Sequence, residues 1–282
     1  MSNVVAIDPE QTKVEDIEIR LLLEGVYSCY GYDFRDYAAS SLKRRLTDML
    51  ISENLPNISS LQARLLHDKT CVERLLAKLS INVTSMFRDP EFYLSFRTKL
   101  VPYLKTYPFI RIWHAGCSTG EEAYSLAILL EEEGLYHRCR IYVTDFNAQV
   151  LHKAEKGIFP LSHMQEYTRN YQLAGGKRAF SDYYTAQYGG ALFNPSLKKN
   201  MVFSVHNLAT DSSFNEFNVV LCRNVMIYFN KALQARVYDL IYKSMSMFGF
   251  LGLGAKESLR GMPHEHAFEA IDAVNKISRK IK

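Results

Sequence analysis

The stretch Ala115-Gly-Cys-Ser-Thr-Gly-Glu-Glu122 holds two glycines four residues apart, followed at once by two acids. A glycine loop that opens a helix is a common phosphate cradle, because it aims main-chain N–H groups at the ligand. Glu121 and Glu122 argue against a phosphate here. They complement the positive end of the helix dipole and would repel a second anion. Only Gly116 and Gly120 are present, so the loop also departs from the G-x-G-x-x-G dinucleotide pattern. A nucleoside without phosphates, and with positive charge, suits the loop better. S-adenosylmethionine (AdoMet) has that chemistry: a sulfonium, an ammonium and an adenosine. Asp145, at the end of the next apolar segment, stands where an acid holds ribose hydroxyls. Taken alone, the loop and Asp145 fit a structural turn as well as a nucleoside site.

Other chemistries find less support. The eight histidines form no recognisable ligand cluster, so no metal is expected. The five cysteines (Cys29, Cys71, Cys117, Cys139, Cys222) are odd in number, lack metal or redox spacing, and read as small buried residues in a reducing compartment. The start, MSNVVAIDPEQ, lacks the features of a secretion signal. Asn57-Ile-Ser and Asn82-Val-Thr are therefore not read as glycosylation sites. No apolar run approaches the ~20 residues of a bilayer span. A cytoplasmic protein without membrane insertion is expected.

The elements that must position the loop follow from periodicity. The chain has 282 residues, 48% of them hydrophobic and 23% charged, enough for one large domain or two modest ones. Residues 1–80 read as helices only. Val14, Ile17, Leu21 and Leu22 recur at helical spacing, with Gly25 or Gly31 as the stop. A second helix begins near Asp36, with Leu42, Leu46, Met49 and Leu50 on one face and Lys43, Arg44 and Arg45 opposite. A third helical region, 58–79, breaks near His67 and Asp68. From residue 81 the pattern becomes helix 89–104, strand 109–115, glycine loop, helix 121–133, strand 140–145 and helix 147–156. That is the βαβ signature of a parallel sheet. Residues 158–200 interrupt it with glycine pairs and tyrosines that suit short antiparallel strands. Strands 201–206 and 217–222, a helix 231–248, and strands 250–253 and 274–281 complete the chain. The expected fold is a doubly wound α/β domain (81–282) with a small antiparallel insertion, preceded by a small all-α domain (1–80).

Formal net charge is only +4, too little to suggest nucleic acid. The excess is regional, since residues 151–210 alone carry +4. Basic residues there (Lys177, Arg178, Lys198, Lys199) and the tyrosines Tyr183, Tyr184 and Tyr188 make the insertion a candidate for recognising an acidic partner, apart from the cofactor pocket.

Five motifs occur in one order: Asn82-Val-Thr84-Ser-Met-Phe-Arg88-Asp-Pro, Ala115-Gly-Cys-Ser-Thr-Gly-Glu-Glu122-Ala-Tyr-Ser, Thr144-Asp145, Asn207-Leu208 and Cys222-Arg-Asn224-Val-Met-Ile-Tyr228-Phe. Together they resemble the chemotaxis-receptor glutamate O-methyltransferases, the CheR-type family, from about Asp16 to the C-terminus. The resemblance implies a Rossmann-like AdoMet-dependent methyltransferase domain, with S-adenosylhomocysteine as product. It implies that Asn82, Thr84 and Arg88 cover the cofactor, and that Ala115 and Glu122 meet its amino-acid end. It implies further that Asp145 holds the ribose, Phe146 lies beside the adenine, and Asn207, Leu208, Arg223 and Asn224 line the rest. Arg88 and Tyr228 are the catalytic candidates, one to orient the incoming carboxylate and the other facing the reactive methyl. Thr84 and Asn207 also fit mere caps, Leu208 and Tyr228 fit core, and Arg88 fits a surface pair with Asp89.

The implied substrates are glutamates on acidic cytoplasmic helices of methyl-accepting chemotaxis receptors, met by a monomer. Lys43, Arg44 and Arg45 would offer a docking face, and the short turn Gln187-Tyr-Gly-Gly190 leaves binding of a receptor tail peptide open. Two rival readings fit the residues less well. A nucleic-acid methyltransferase would carry an Asn/Asp-Pro-Pro-aromatic motif, which this chain lacks. A binding module without catalysis would not need Arg88 and Tyr228.

Overall fold

The computed structural model describes residues 9–79, 84–187 and 189–282. Asn82, the boundary placed at 80/81 and Tyr188 lie outside the described residues. The chain divides into two compact units, Met1–Ile81 with Tyr228–Leu233, and Asn82–Ile227 with Gln234–Lys282.

The first unit is helical: α1 (Pro9–Tyr30), α2 (Ala39–Glu53), α3 (Ile58–His67) and α4 (Lys69–Leu79). Local chemistry sets the ends. The Asn57 carboxamide accepts from Ser60 N at 2.9 Å to cap α3, and Asp68 accepts from Thr70 N at 2.9 Å at the start of α4. Gly25 does not end α1. Its bare Cα lets α3 approach, and an added Cβ would lie 3.2 Å from the Leu66 side chain. The stop is Gly31, at φ +76°. Leu22, Leu23, Val26, Leu42, Leu46, Met49, Leu61, Leu65 and Leu75 make the core. Val14, Ile17 and Leu21, expected on the buried face, are exposed instead. Of the basic trio only Arg44 is exposed. Lys43 pairs with Glu15 at 2.5 Å, and Arg45 bonds the carbonyl of Lys78.

The second unit starts with α5 (Pro90–Ser95), a π-helical turn (Phe96–Leu100) and α6 (Val101–Leu104) where one helix was expected. Pro102 has no N–H for the Thr98 carbonyl, and Val101 N reaches back to Phe96 O. Next come β1 (Ile110–Ala115), α7 (Glu121–Glu132), β2 (Cys139–Asp145) and α8 (Ala148–Lys156). The insertion follows as β3 (Ile158–Pro160), α9 (Met164–Leu173), β4 (Tyr184–Gln187) and β5 (Gly190–Phe193). The remaining elements are β6 (Met201–Val205), β7 (Phe217–Cys222), α10 (Lys231–Ser244), β8 (Met245–Leu253), β9 (Phe268–Asp272) and β10 (Ile277–Lys280). The main sheet has the order β6-β2-β1-β7-β8-β10-β9, its first five strands parallel and the last two antiparallel. Successive strands leave β1 in opposite directions, so the order switches beside β1, where α/β sheets hold ligands. The insertion forms a separate antiparallel sheet, β3-β5-β4.

Two further element expectations change. The helix expected to reach residue 248 ends at Ser244, and β8 begins at Met245. Phe248 takes φ +63°, and Gly249 lies so close to carbonyls of Phe217, Asn218 and Ser246 that a Cβ would stand 3.0–3.2 Å from them. A β-bulge against β7 results. The final strand is a hairpin, β9–β10, at the sheet edge.

Several tyrosines and basic residues of the insertion bond groups within their own unit. Tyr171 and Tyr183 are buried and bond Glu132 of α7, whose carboxylate also receives Lys177 N at 3.0 Å. Lys177 Nζ pairs with Glu133 at 2.8 Å, Arg178 lies 3.6 Å from Glu131, and Lys198 Nζ bonds the Glu155 carbonyl. Only Lys199 of the four is exposed without such an anchor among the described residues.

Candidate active site

The site lies at the carboxyl ends of β1, β2, β6 and β7. Ala115 closes β1, and Gly116 N then bonds Thr144 O at 2.9 Å, turning the chain over β2. Both glycines of the loop are required. Gly116 (φ +74°) would place a Cβ 2.6 Å from Val225, and Gly120 (φ +96°) one 2.8 Å from Ala154. Asp145 ends β2 at 8% exposure, accepting from Ser118 N and Asn147 N, each at 3.0 Å. Burial pushes its carboxyl up despite those bonds.

Glu122 is 7% exposed, in the first turn of α7. Arg223 Nη1 donates to its Oε1 at 2.7 Å, and His114 Nε2 lies 3.4 Å from Oε2. Burial works to raise this carboxyl, but the charge of Arg223 and the His114 ring outweigh it and hold it at about 2. Arg223 also reaches Asp89 at 2.8 Å and the Arg88 carbonyl, with its guanidinium 4.0 Å from the Phe92 ring centre. This arginine therefore ties the linker residue Asp89 to the helix that carries Glu122. Glu121 is buried too, accepting from the Thr119 hydroxyl at 2.6 Å, and burial raises its carboxyl.

Several other expected residues follow the ends of the same strands. His206 N bonds Asp145 O at 3.1 Å and sets Asn207 and Leu208 at the end of β6. Asn207 is half-buried and caps Ala209 N at 3.0 Å, while Leu208 is buried. Phe146 is half-buried directly after Asp145. Asn224 follows Arg223 at φ +60°. Thr84 and Arg88 share the wall of a cleft of about 580 Å³ with His163, Glu166, Tyr167 and Asn170. The last four belong to the insertion or its approach, so the insertion does border two expected cofactor residues. Tyr228 belongs to the helical unit. There Ala38 N bonds its carbonyl at 2.9 Å, and the Arg45 guanidinium lies 5.9 Å from its ring.

The sequence reading gave no site role to three residues that touch these loops. His114 is a buried polar residue on an otherwise apolar strand, a signal the sequence did carry. Glu121 was read only as a dipole partner. Glu257 lies in an irregular segment after β8, and nothing in its spacing points to the loop it touches.

These observations test the fit of AdoMet. Buried acids surround the glycine loop, which suits a cationic nucleoside. Arg223, the basic group closest to a phosphate clamp, is already committed to Glu122 and Asp89. The fold and the acids together define an AdoMet-dependent methyltransferase. The family model for the CheR methyltransferase SAM binding domain matches residues 82–276, and that for the CheR methyltransferase all-alpha domain matches residues 17–80. The chain is 50% identical to Cher3 of Pseudomonas putida over 265 residues, 94% of this chain and 97% of that one. It is 26% identical to the chemotaxis protein methyltransferase of Listeria monocytogenes, covering 81% of this chain and 85% of the relative. Against chemotaxis protein methyltransferase 1 of Vibrio cholerae the identity is 27%, covering 95% and 98%. The chain belongs to the CheR methyltransferase family, and its methyl donor is AdoMet.

Proposed function

We propose that the chain transfers the methyl group of AdoMet to glutamate carboxylates on cytoplasmic chemoreceptor helices, as a monomer in the cytoplasm. The observation that carries the donor side is the pair of buried carboxylates, Glu122 and Asp145, set on either side of a glycine loop. The relatives named chemotaxis protein methyltransferase support the acceptor side. No described helix is long and apolar enough to cross a membrane. The proposed division is a helical domain, 1–80, and a methyltransferase domain, 81–282, with the insertion at about 158–200.

Bound AdoMet supplies an electrophilic methyl on a sulfonium. A glutamate side chain is ionised at pH 7, so no residue of the enzyme has to remove a proton. The protein's task is orientation and exclusion of water. Glu122 receives the donor's ammonium, Asp145 the ribose hydroxyls, and Phe146 lies by the adenine. Asn82, Thr84, Ala115, Asn207, Leu208, Arg223 and Asn224 complete that pocket. Arg88 orients the incoming carboxylate with its planar fork of donors, and Tyr228 fixes the methyl or the carboxylate through its hydroxyl. Arg44, outward on α2, is the docking cation for an acidic helix.

The test mixes purified protein, labelled AdoMet and receptor-containing membranes. Base-labile methyl ester on the receptor is the expected product. Label in RNA, or none on receptor, would overturn the acceptor assignment.

A further inference from the structure

Glu257 does not line the pocket, yet its contacts converge on the loop that does. The residue is 4% exposed. Oε1 accepts from Val225 N at 2.8 Å and Met226 N at 2.7 Å, and Oε2 from Gly254 N at 2.6 Å and Asn224 N at 3.0 Å. Three successive N–H groups aimed at one carboxylate form an anion-binding concavity, filled here by a side chain of the same chain. Such charge-assisted bonds are stronger than neutral ones. The concavity needs Asn224 in the left-handed region, at φ +60°, a conformation that persists only where neighbours enforce it. Glu257 is itself placed by a tight turn, its own N–H bonding Gly254 O at 2.9 Å. Gly254 must be bare: a Cβ would stand 2.7 Å from Asn224 N and 2.9 Å from Glu257 Oε2. The turn after β8 thus clamps the turn after β7.

We propose that Glu257 is a positioning residue for methyl transfer, whose side-chain oxygens hold the Arg223–Asn224 loop in the shape that receives AdoMet. The inference rests on the proposed pocket, in which Arg223 and Asn224 are lining residues. Replacing the anion by a carboxamide puts an NH2 group against N–H donors, so the loop must rearrange although the volume is unchanged. A methyl at Gly254 pushes the same loop away while the charge stays.

Four variants of the full chain separate the outcomes by calorimetry with S-adenosylhomocysteine. Glu257→Gln and Gly254→Ala should each raise Kd at least tenfold, at unchanged stoichiometry per folded molecule. Tyr238→Phe, which loses the hydroxyl bond to Ser258 O beside Glu257 but leaves the four N–H bonds, should lower Tm and keep Kd within twofold. Asp145→Ala reports on the pocket itself. Weakened binding in Asp145→Ala beside unaltered Kd in Glu257→Gln overturns the positioning role alone. Unaltered Kd in Asp145→Ala overturns the pocket, and this inference with it. Should Glu257→Gln fail to fold, Gly254→Ala decides. Should both fail, hydrogen exchange at residues 224–226 of the unaltered protein must slow at least tenfold on binding, and unchanged exchange overturns the proposal.

Discussion

Glu122 and Asp145 are both buried, yet their surroundings drive their carboxyls in opposite directions. Asp145 accepts from the N–H groups of Ser118 and Asn147, yet burial wins; Glu122 faces Arg223, and the cation wins. The signs have consequences. Glu122 titrates lower folded than unfolded, so its contribution to stability is full above about 4.5 and fades as pH falls toward about 2. Glu122→Gln takes the closest carboxylate charge from the buried guanidinium of Arg223 and leaves it Asp89 and the Arg88 carbonyl, at a cost of about 3 kcal/mol near neutral pH. Denaturant titrations from pH 7 down to pH 3 should show that gap narrowing; a constant gap would contradict the ion pair. At Asp145 the expected effect is on ligand. Asp145→Ala should weaken AdoMet binding by about 1.5–3 kcal/mol, while Tyr228→Phe should lower turnover about tenfold with affinity little changed. Equal losses of affinity in the two variants would contradict the assigned roles.

Among the elements, α7 has the most varied duties. Its first turn carries Glu121 and Glu122 toward the site, and its last turn carries Glu132 and Glu133 toward the insertion. The Glu132 carboxylate receives Arg97, Tyr171, Tyr183 and Lys177 N. Removing its charge should loosen the insertion without altering the acids at the other end of the helix. Glu132→Gln is expected to cost about 2 kcal/mol by denaturant titration, with faster proteolysis of residues 174–190 and unchanged affinity for S-adenosylhomocysteine. The same geometry revises the role of the basic residues. Lys177 and Arg178 are half-exposed partners of Glu133 and Glu131, so the pair Lys177→Ser and Arg178→Ser should lower stability by less than about 1 kcal/mol. A raised KM for receptor in that double variant, with Tm unchanged, would restore them to docking.

For the whole molecule, the notable feature is that Tyr228–Leu233 belongs to the helical unit although its neighbours on both sides belong to the other. Phe229 packs edge-to-face on Tyr37 at 5.0 Å, and Asn230 bonds Asp36 through both main chain and side chain. A fragment starting near Ser80 keeps Glu122, Asp145 and the glycine loop but leaves this segment without its partners. It should bind S-adenosylhomocysteine by calorimetry, show a Tm below that of the full chain, and lose methyl transfer to receptor. A folded fragment giving no heat of binding would mean that the pocket has been misplaced.

Local features carried much of this through the sequence. Gly116, Gly120, Glu122 and Asp145 belong to one strand-loop-helix-strand unit, where spacing along the chain is spacing in space. The helix break near Asp68 and the strands 217–222 and 140–145 were legible for the same reason: caps, turns and apolar runs act within a few residues; the stop of α1 stayed open between Gly25 and Gly31, because the contact of Gly25 with Leu66 is tertiary. What lay beyond reach depends on pairs far apart in sequence. Arg223 meets Glu122 across 101 positions and Asp89 across 134. Met226 meets Glu257 across 31, and Tyr183 meets Glu132 across 51. A lysine or tyrosine in the insertion looks the same in the sequence whether it faces a partner or an internal carboxylate. Only packing decides which, because a buried carboxylate must collect donors from whichever segments the fold brings to it.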